Sequence, residues 1–217
     1  MAPFDEIAAV MRAQVPTRRL APDPVDDATL LAVLDLAGRA AVGKRRRCEF
    51  VVVRDPDVRH QLARIYRQGW SVYKRVLRSR SSDDAVLAAR QWEADHFEDV
   101  PVLVVPCVRG RRPVFPAAGA AAFYGSAFPA AQNFLLAAHA LGLGAGVTTL
   151  ALWSGWEARR TLGLPRDVTP VAVITLGRPR GPAEPVALSP IENLVHLDRF
   201  GHQPFRPHAR RATRDMA

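Results

Sequence analysis

Apolar positions recur at helical spacing from the start of the chain. Phe4, Ile7, Ala8 and Met11 share one face of residues 4–14, and Pro16 stops the run. A Pro-rich connector, LAPDPVDD, leads to a second amphipathic stretch with Asp26 or Asp27 as its N-cap and Leu30, Leu31, Val33, Leu34 and Ala37 inward. Residues 49–53 (EFVVV) form a β-rich run that reads as a buried strand. Asp55 and Pro56 then open a third helix. The charged segment 81–99 is helical by pattern, and 101–108 (PVLVVPCV) is a second apolar strand. After a loop of small residues, 128–146 reads as a helix apolar around nearly its whole circumference, which predicts burial or a subunit interface. Residues 147–152 are a strand or extended loop, and Gly163 and Pro165 end a short amphipathic helix that precedes a third strong strand, 169–177. The alternation predicts a sheet with helices on both faces, and the long helical insertions argue against a simple doubly wound arrangement.

A chain of 217 residues can bury a substantial core, and its hydrophobic and charged fractions are those of an ordinary globular protein. The net charge of +9 changes the picture, because it favours contact with anions such as phosphorylated cofactors. Only Lys44 and Lys74 are lysines, so arginine-rich compositional drift also accounts for much of that charge. Asp5 and Glu6 interrupt the N-terminus before a signal-like apolar run can build, and no stretch has the roughly 20 apolar residues of a membrane span. The expectation is a soluble cytoplasmic protein.

Three segments together resemble the nitroreductase family of FMN-dependent oxidoreductases. They are the N-terminal helix with TRRLAPDPVDDATLLAVLDLAGRAA and EFVVVRDPDVRHQLA, then ADHFEDVPVLVVPC, then the stretch from YGSAFPAAQNFLLAAHALGLGAGVTTLAL to VAVITLGRPRG. The resemblance covers roughly residues 4–200. It implies an α+β fold with a central mixed sheet flanked by helices, in a homodimer with FMN at the subunit interface. NAD(P)H would serve as co-substrate, and a nitroaromatic, quinone or enal as acceptor. It also implies a domain over residues 1–195, followed by a basic arm, 196–217.

Residue by residue, the match is uneven. The family's first basic run falls on Gln14, Val15, Pro16, Thr17 and Arg18, so only Arg18, helped by Arg19, keeps the phosphate-binding role. Its second signature falls on residues 40–48, where Gly43 and Arg45 match. Ala41, Lys44, Arg46 and Cys48 stand where the family shows Ser, Asn, Gln and Trp. The family's third phosphate contact falls on 187–190, which holds no cation, although Arg178 and Arg180 lie nearby in sequence. Thr148, Thr149 and Leu150 match a stretch whose backbone amides face the flavin ring in relatives. The cofactor-binding candidates are thus Arg18, Arg19, Gly43, Lys44, Arg46, Thr148, Thr149 and Leu150. Two readings follow. Either the new cations rebuild an anion site for FMN, or the chain is a flavin-deficient homologue acting as a ligand- or partner-binding protein. No acid–base pair is expected, since the flavin carries the hydride chemistry.

Other features yield to simpler readings. The glycines of GLGAGV follow a helix and precede a strand, the reverse of a dinucleotide fingerprint, and read as a close helix-to-strand turn. The six histidines show no metal-ligand spacing. Cations beside Cys48 favour a reactive thiolate, but a cysteine next to a strand reads more simply as a packed side chain. The basic tail lacks a nucleic-acid recognition motif and reads as an arm around a partner subunit or as chain without fixed structure.

Overall fold

The computed structural model describes residues 3–40, 48–79, 84–110, 117–181 and 188–205. Helix α1 (Pro3–Ala13) precedes a two-residue strand, β1 (Leu20–Ala21), and then α2 (Asp27–Gly38). Asp26 caps α2 by accepting the Thr29 N–H at 2.8 Å. Strand β2 (Cys48–Val53) leads into the long α3 (Pro56–Ser79), where Asp55 accepts the Val58 N–H at 3.0 Å. Helix α4 (Asp84–Asp95) is followed by β3 (Val102–Arg109), α5 (Ala117–Gly125) and α6 (Phe128–Ala140). Then come β4 (Gly144–Thr148), α7 (Gly155–Thr161), β5 (Val168–Pro170) and β6 (Val173–Pro179).

Strands β3 and β6 lie side by side at the centre of the sheet, with β2 on the far side of β3 and β1 and β4 along the outer edge of β6. All described pairings are antiparallel, which is stricter than the mixed sheet expected from the sequence; the α+β class stands. The apolar run of β3 serves two cores because successive side chains leave opposite faces. Leu103 and Val105 pack with Tyr66, Phe97 and Val173 under α3, α4 and α7. Val102 and Val104 pack with Val33, Phe134, Ile174 and Leu176 under α2 and α6. Burying one such side chain stabilises the fold by about 1.5–3 kcal/mol.

Three elements differ from expectation. Residues 117–125 are helical, because five of the nine are Ala, which has high intrinsic helix propensity without any apolar period to reveal it. Helix α6 ends at Ala140, since Gly142 takes φ 73° and turns the chain into β4. The expected strand 169–177 is two strands, parted where the Val171 N–H donates to the Pro106 carbonyl.

A second unit begins at Glu184. Within it a short 3-10 turn, Ile191–Asn193, is held by Gln203 Nε2 donating to the Asn193 carbonyl at 2.6 Å, and His196 stacks on Phe200. Residues 206–217 of the expected basic arm lie outside the described residues.

Candidate functional site

The segment before β1 lies along the edge of β4. The Thr17 N–H donates to the Ala145 carbonyl at 2.9 Å, and two glycines make room for it. A Cβ on Gly144 would stand 2.8 Å from Thr17 Cγ2 and Leu20 Cδ2, and one on Gly146 would stand 3.3 Å from the Thr17 carbonyl oxygen. The GLGAG stretch is therefore shaped by its own chain passing close by. Its packing brings Arg18 to the inner side of the fold.

There Arg18 Nε stands 3.5 Å from Oε2 of Glu93, whose side chain is 8% exposed against 25% for the arginine. Burial pushes the Glu93 carboxyl above its ordinary range, against the opposing pull of Arg18, Arg90 and the Tyr66 hydroxyl. Tyr66, on α3, is fully buried, and its hydroxyl faces Glu93 and Thr148 without a hydrogen bond of ordinary geometry to either. Burial and the Glu93 charge both raise the Tyr66 pKa. Thr148 closes the series at the end of β4, where its Oγ1 accepts the Leu150 N–H at 3.2 Å and braces the turn. Helix α3 reaches this turn through Gly69, where a Cβ would stand 2.9 Å from Trp153 Cβ.

Helices α3 and α4 are held together by Gln91. Its Oε1 accepts from Trp70 Nε1 at 2.9 Å and from Lys74 Nζ at 2.6 Å, and its Nε2 donates to Asp95. The Arg19 guanidinium stands 5.9 Å over the Trp92 ring, which stacks on His96. The Arg180 N–H donates to the Arg19 carbonyl at 2.8 Å, and Arg178 lies opposite Ala21. The end of the β1–β6 pair thus gathers the backbones of Arg18, Arg19, Arg178 and Arg180, the last three exposed.

Of the sequence candidates, Arg18 and Thr148 meet through Glu93 and Tyr66, and Arg19 stands beside them over Trp92. Thr149 is exposed, and Leu150 packs into the core with its N–H engaged by Thr148. Gly43, Lys44 and Arg46 lie outside the described residues. The Cys48 thiol is half-buried and pushed up to about 11, chiefly by burial, which favours the packed side chain; the cations at 44–47 lie outside the described residues. Sequence reasoning missed Glu93, Tyr66 and Arg90. The available signal was the i, i+4 series Ala89, Glu93 and Phe97, which puts a carboxylate on the buried face of α4.

Among the described residues no helix is long and apolar enough to cross a membrane, and no group of three His, Cys, Asp or Glu could hold a metal. A sequence model described as "Nitroreductase family" matches residues 13–178. No curated protein matches the chain. Among solved structures, the NADPH:FMN oxidoreductase from Vibrio harveyi complexed with NAD+ superposes with a TM-score of 0.71 at 18% identity, over 89% of this chain and 77% of that one. Nitroreductase A from Vibrio parahaemolyticus gives 0.71 at 19% identity over 89% and 75%. A candidate nitroreductase from Desulfovibrio desulfuricans, in complex with FMN, gives 0.67 at 21% identity over 89% and 97%.

Proposed function

The chain belongs to the nitroreductase family, and on that premise we propose that it is an FMN-dependent oxidoreductase. It passes hydride from NAD(P)H by way of the flavin to a small electron-poor acceptor such as a nitroaromatic, quinone or enal. The observation that supports this reading is the buried series Arg18, Glu93, Tyr66 and Thr148. It joins a phosphate-binding candidate to a ring-facing candidate 130 positions along the chain.

The residues at hand fit the cofactor. A doubly charged phosphate needs several cationic donors, and the β1–β6 end offers Arg19, Arg178 and Arg180 with Arg18 behind them. When bound, the flavin supplies the hydride chemistry. Arg18 and the exposed arginines would hold the phosphate, while the sequence candidates Lys44 and Arg46 lie outside the described residues. The Thr148–Leu150 turn, braced by the Thr148 hydroxyl, presents a fixed backbone to the ring. Tyr66 keeps a protonated hydroxyl beside that turn, because burial and Glu93 hold its proton in place.

Self-association belongs to the same reading. Helix α1 exposes Phe4, Ile7 and Met11, and a groove of about 540 Å³ between α1, α2 and α6 is lined largely by apolar side chains that a second copy would cover. Use of NAD(P)H agrees with a cytoplasmic setting.

A second reading, a flavin-deficient homologue that binds another ligand or partner, is favoured by the Arg18–Glu93 pair, which already engages the inward cation. The visible spectrum of purified protein and titration of the apo form with FMN separate the two. A flavin spectrum or saturable binding at micromolar FMN is expected, weakened about tenfold or more by Arg18→Ala. A folded, colourless protein indifferent to FMN would overturn the first reading, and unchanged affinity in the variant would overturn the placement of the phosphate.

A further inference from the structure

We propose that Glu93 is an internal counter-anion that competes with the flavin phosphate for Arg18, so that uptake of the nucleotide is coupled to protonation of this carboxyl. The inference rests on the flavoprotein reading and deepens it. It starts from geometry. Glu93 is buried on α4 with Oε2 3.5 Å from Arg18 Nε, and Arg18 is the one cation that the family resemblance keeps at the first phosphate-binding run.

The charged and titratable groups facing Glu93 are Arg18 from the segment before β1, Tyr66 from α3 and Arg90 from its own helix. Burial already raises the carboxyl against the pull of both arginines. A phosphate dianion drawn to Arg18 adds a second negative charge nearby and raises it further. Protonation of Glu93 removes that repulsion and releases the guanidinium to the phosphate. By linkage, nucleotide binding takes up a proton, and affinity rises as pH falls through the carboxyl's titration. Glu93 is a positioning residue in this scheme, acting on the cofactor only through Arg18.

The test compares FMN with riboflavin, which has the ring but no phosphate. Apo wild type and Glu93→Gln are titrated with each by fluorescence quenching between pH 6 and pH 8.5. At pH 8 the variant is expected to bind FMN about tenfold more tightly than wild type, the scale of one unit charge removed within several ångströms at a protein surface. That ratio should shrink toward one as pH falls, and it cancels the phosphate's own titration near pH 6. Riboflavin should bind the two proteins alike at every pH. Equal FMN affinities, weaker FMN binding by the variant, or the same gain for riboflavin would each overturn the role of Glu93 while leaving the flavoprotein reading intact. Failure of both proteins to bind FMN would overturn both. Calorimetry of wild type in two buffers of different ionisation enthalpy gives a check that needs no variant. Net proton uptake at pH 8 is expected with FMN and absent with riboflavin, and its absence with FMN overturns the proposal.

Discussion

Two arginine–carboxylate pairs in this molecule have opposite character. On the surface of the sheet, Arg109 of β3 holds Glu49 of β2 through two hydrogen bonds, at 2.5 and 3.0 Å, and reaches Asp167 at 3.1 Å. Inside the fold, Arg18 meets Glu93 at 3.5 Å. The Arg109 hydrogen bonds hold the Glu49 carboxyl below its ordinary range. Glu93 has Arg18 and Arg90 to attract it and still lies above that range, because loss of hydration outweighs both partners. The same chemical pair therefore supports the fold at one site and strains it at the other. A strained pair is the one an incoming anion can displace.

The comparison breaks most visibly at Arg18. Arg18→Ala leaves Glu93 charged, buried and short of its nearer partner, and is expected to cost about 3 kcal/mol at pH 8. The loss should shrink on acidification, as Glu93 gains its proton. Urea unfolding at pH 8 and pH 5 checks this, and an equal loss at both would mean that packing, not charge, dominates.

Glu93→Gln acts in the opposite direction. The folded state holds the Glu93 proton to a higher pH than the unfolded chain does, so stability falls as pH rises from the ordinary carboxylate range through the raised value. Gln never carries that charge. The variant should therefore match wild type below the ordinary range and exceed it by about 1 kcal/mol above the raised value. Arg18, a quarter exposed, stays hydrated without its partner. Thermal melts across this range give the answer, and a variant less stable at every pH would show that the pair is a net support.

The same contrast explains what could be read from the sequence. The runs EFVVV and PVLVVPCV are strands, the run 169–177 is strand on either side of a break at Val171, and Asp26 and Asp55 cap helices, because short-range patterns dictate all three. Helix α5 was hidden, since AAGAAAFYG has helix propensity and no period. In the candidate site, Arg18 and Thr148 follow from the family resemblance, while Glu93 lies in a segment that shows only charge and a helical pattern. The i, i+4 spacing of Ala89, Glu93 and Phe97 marks the face of α4 on which it lies, but that this face meets Tyr66 is a tertiary fact.

The smallest effect is expected at the surface pair, and it sharpens the contrast by its size. Arg109→Ala should lower stability only slightly at neutral pH, because exposed charges are well hydrated without each other. Glu49 has a depressed pKa, so the pair's contribution is present above the ordinary carboxylate range and is lost as pH falls through the lowered value, the reverse of Glu93. Salt should screen it, so that wild type and Arg109→Ala converge at 1 M salt. The Arg18→Ala deficit should persist there, because ions do not reach a carboxylate that is 8% exposed. Denaturant melts of the two variants at low and high salt measure both. A deficit in Arg18→Ala that vanished in salt would place Glu93 within reach of solvent and remove the basis for treating it as an internal counter-anion.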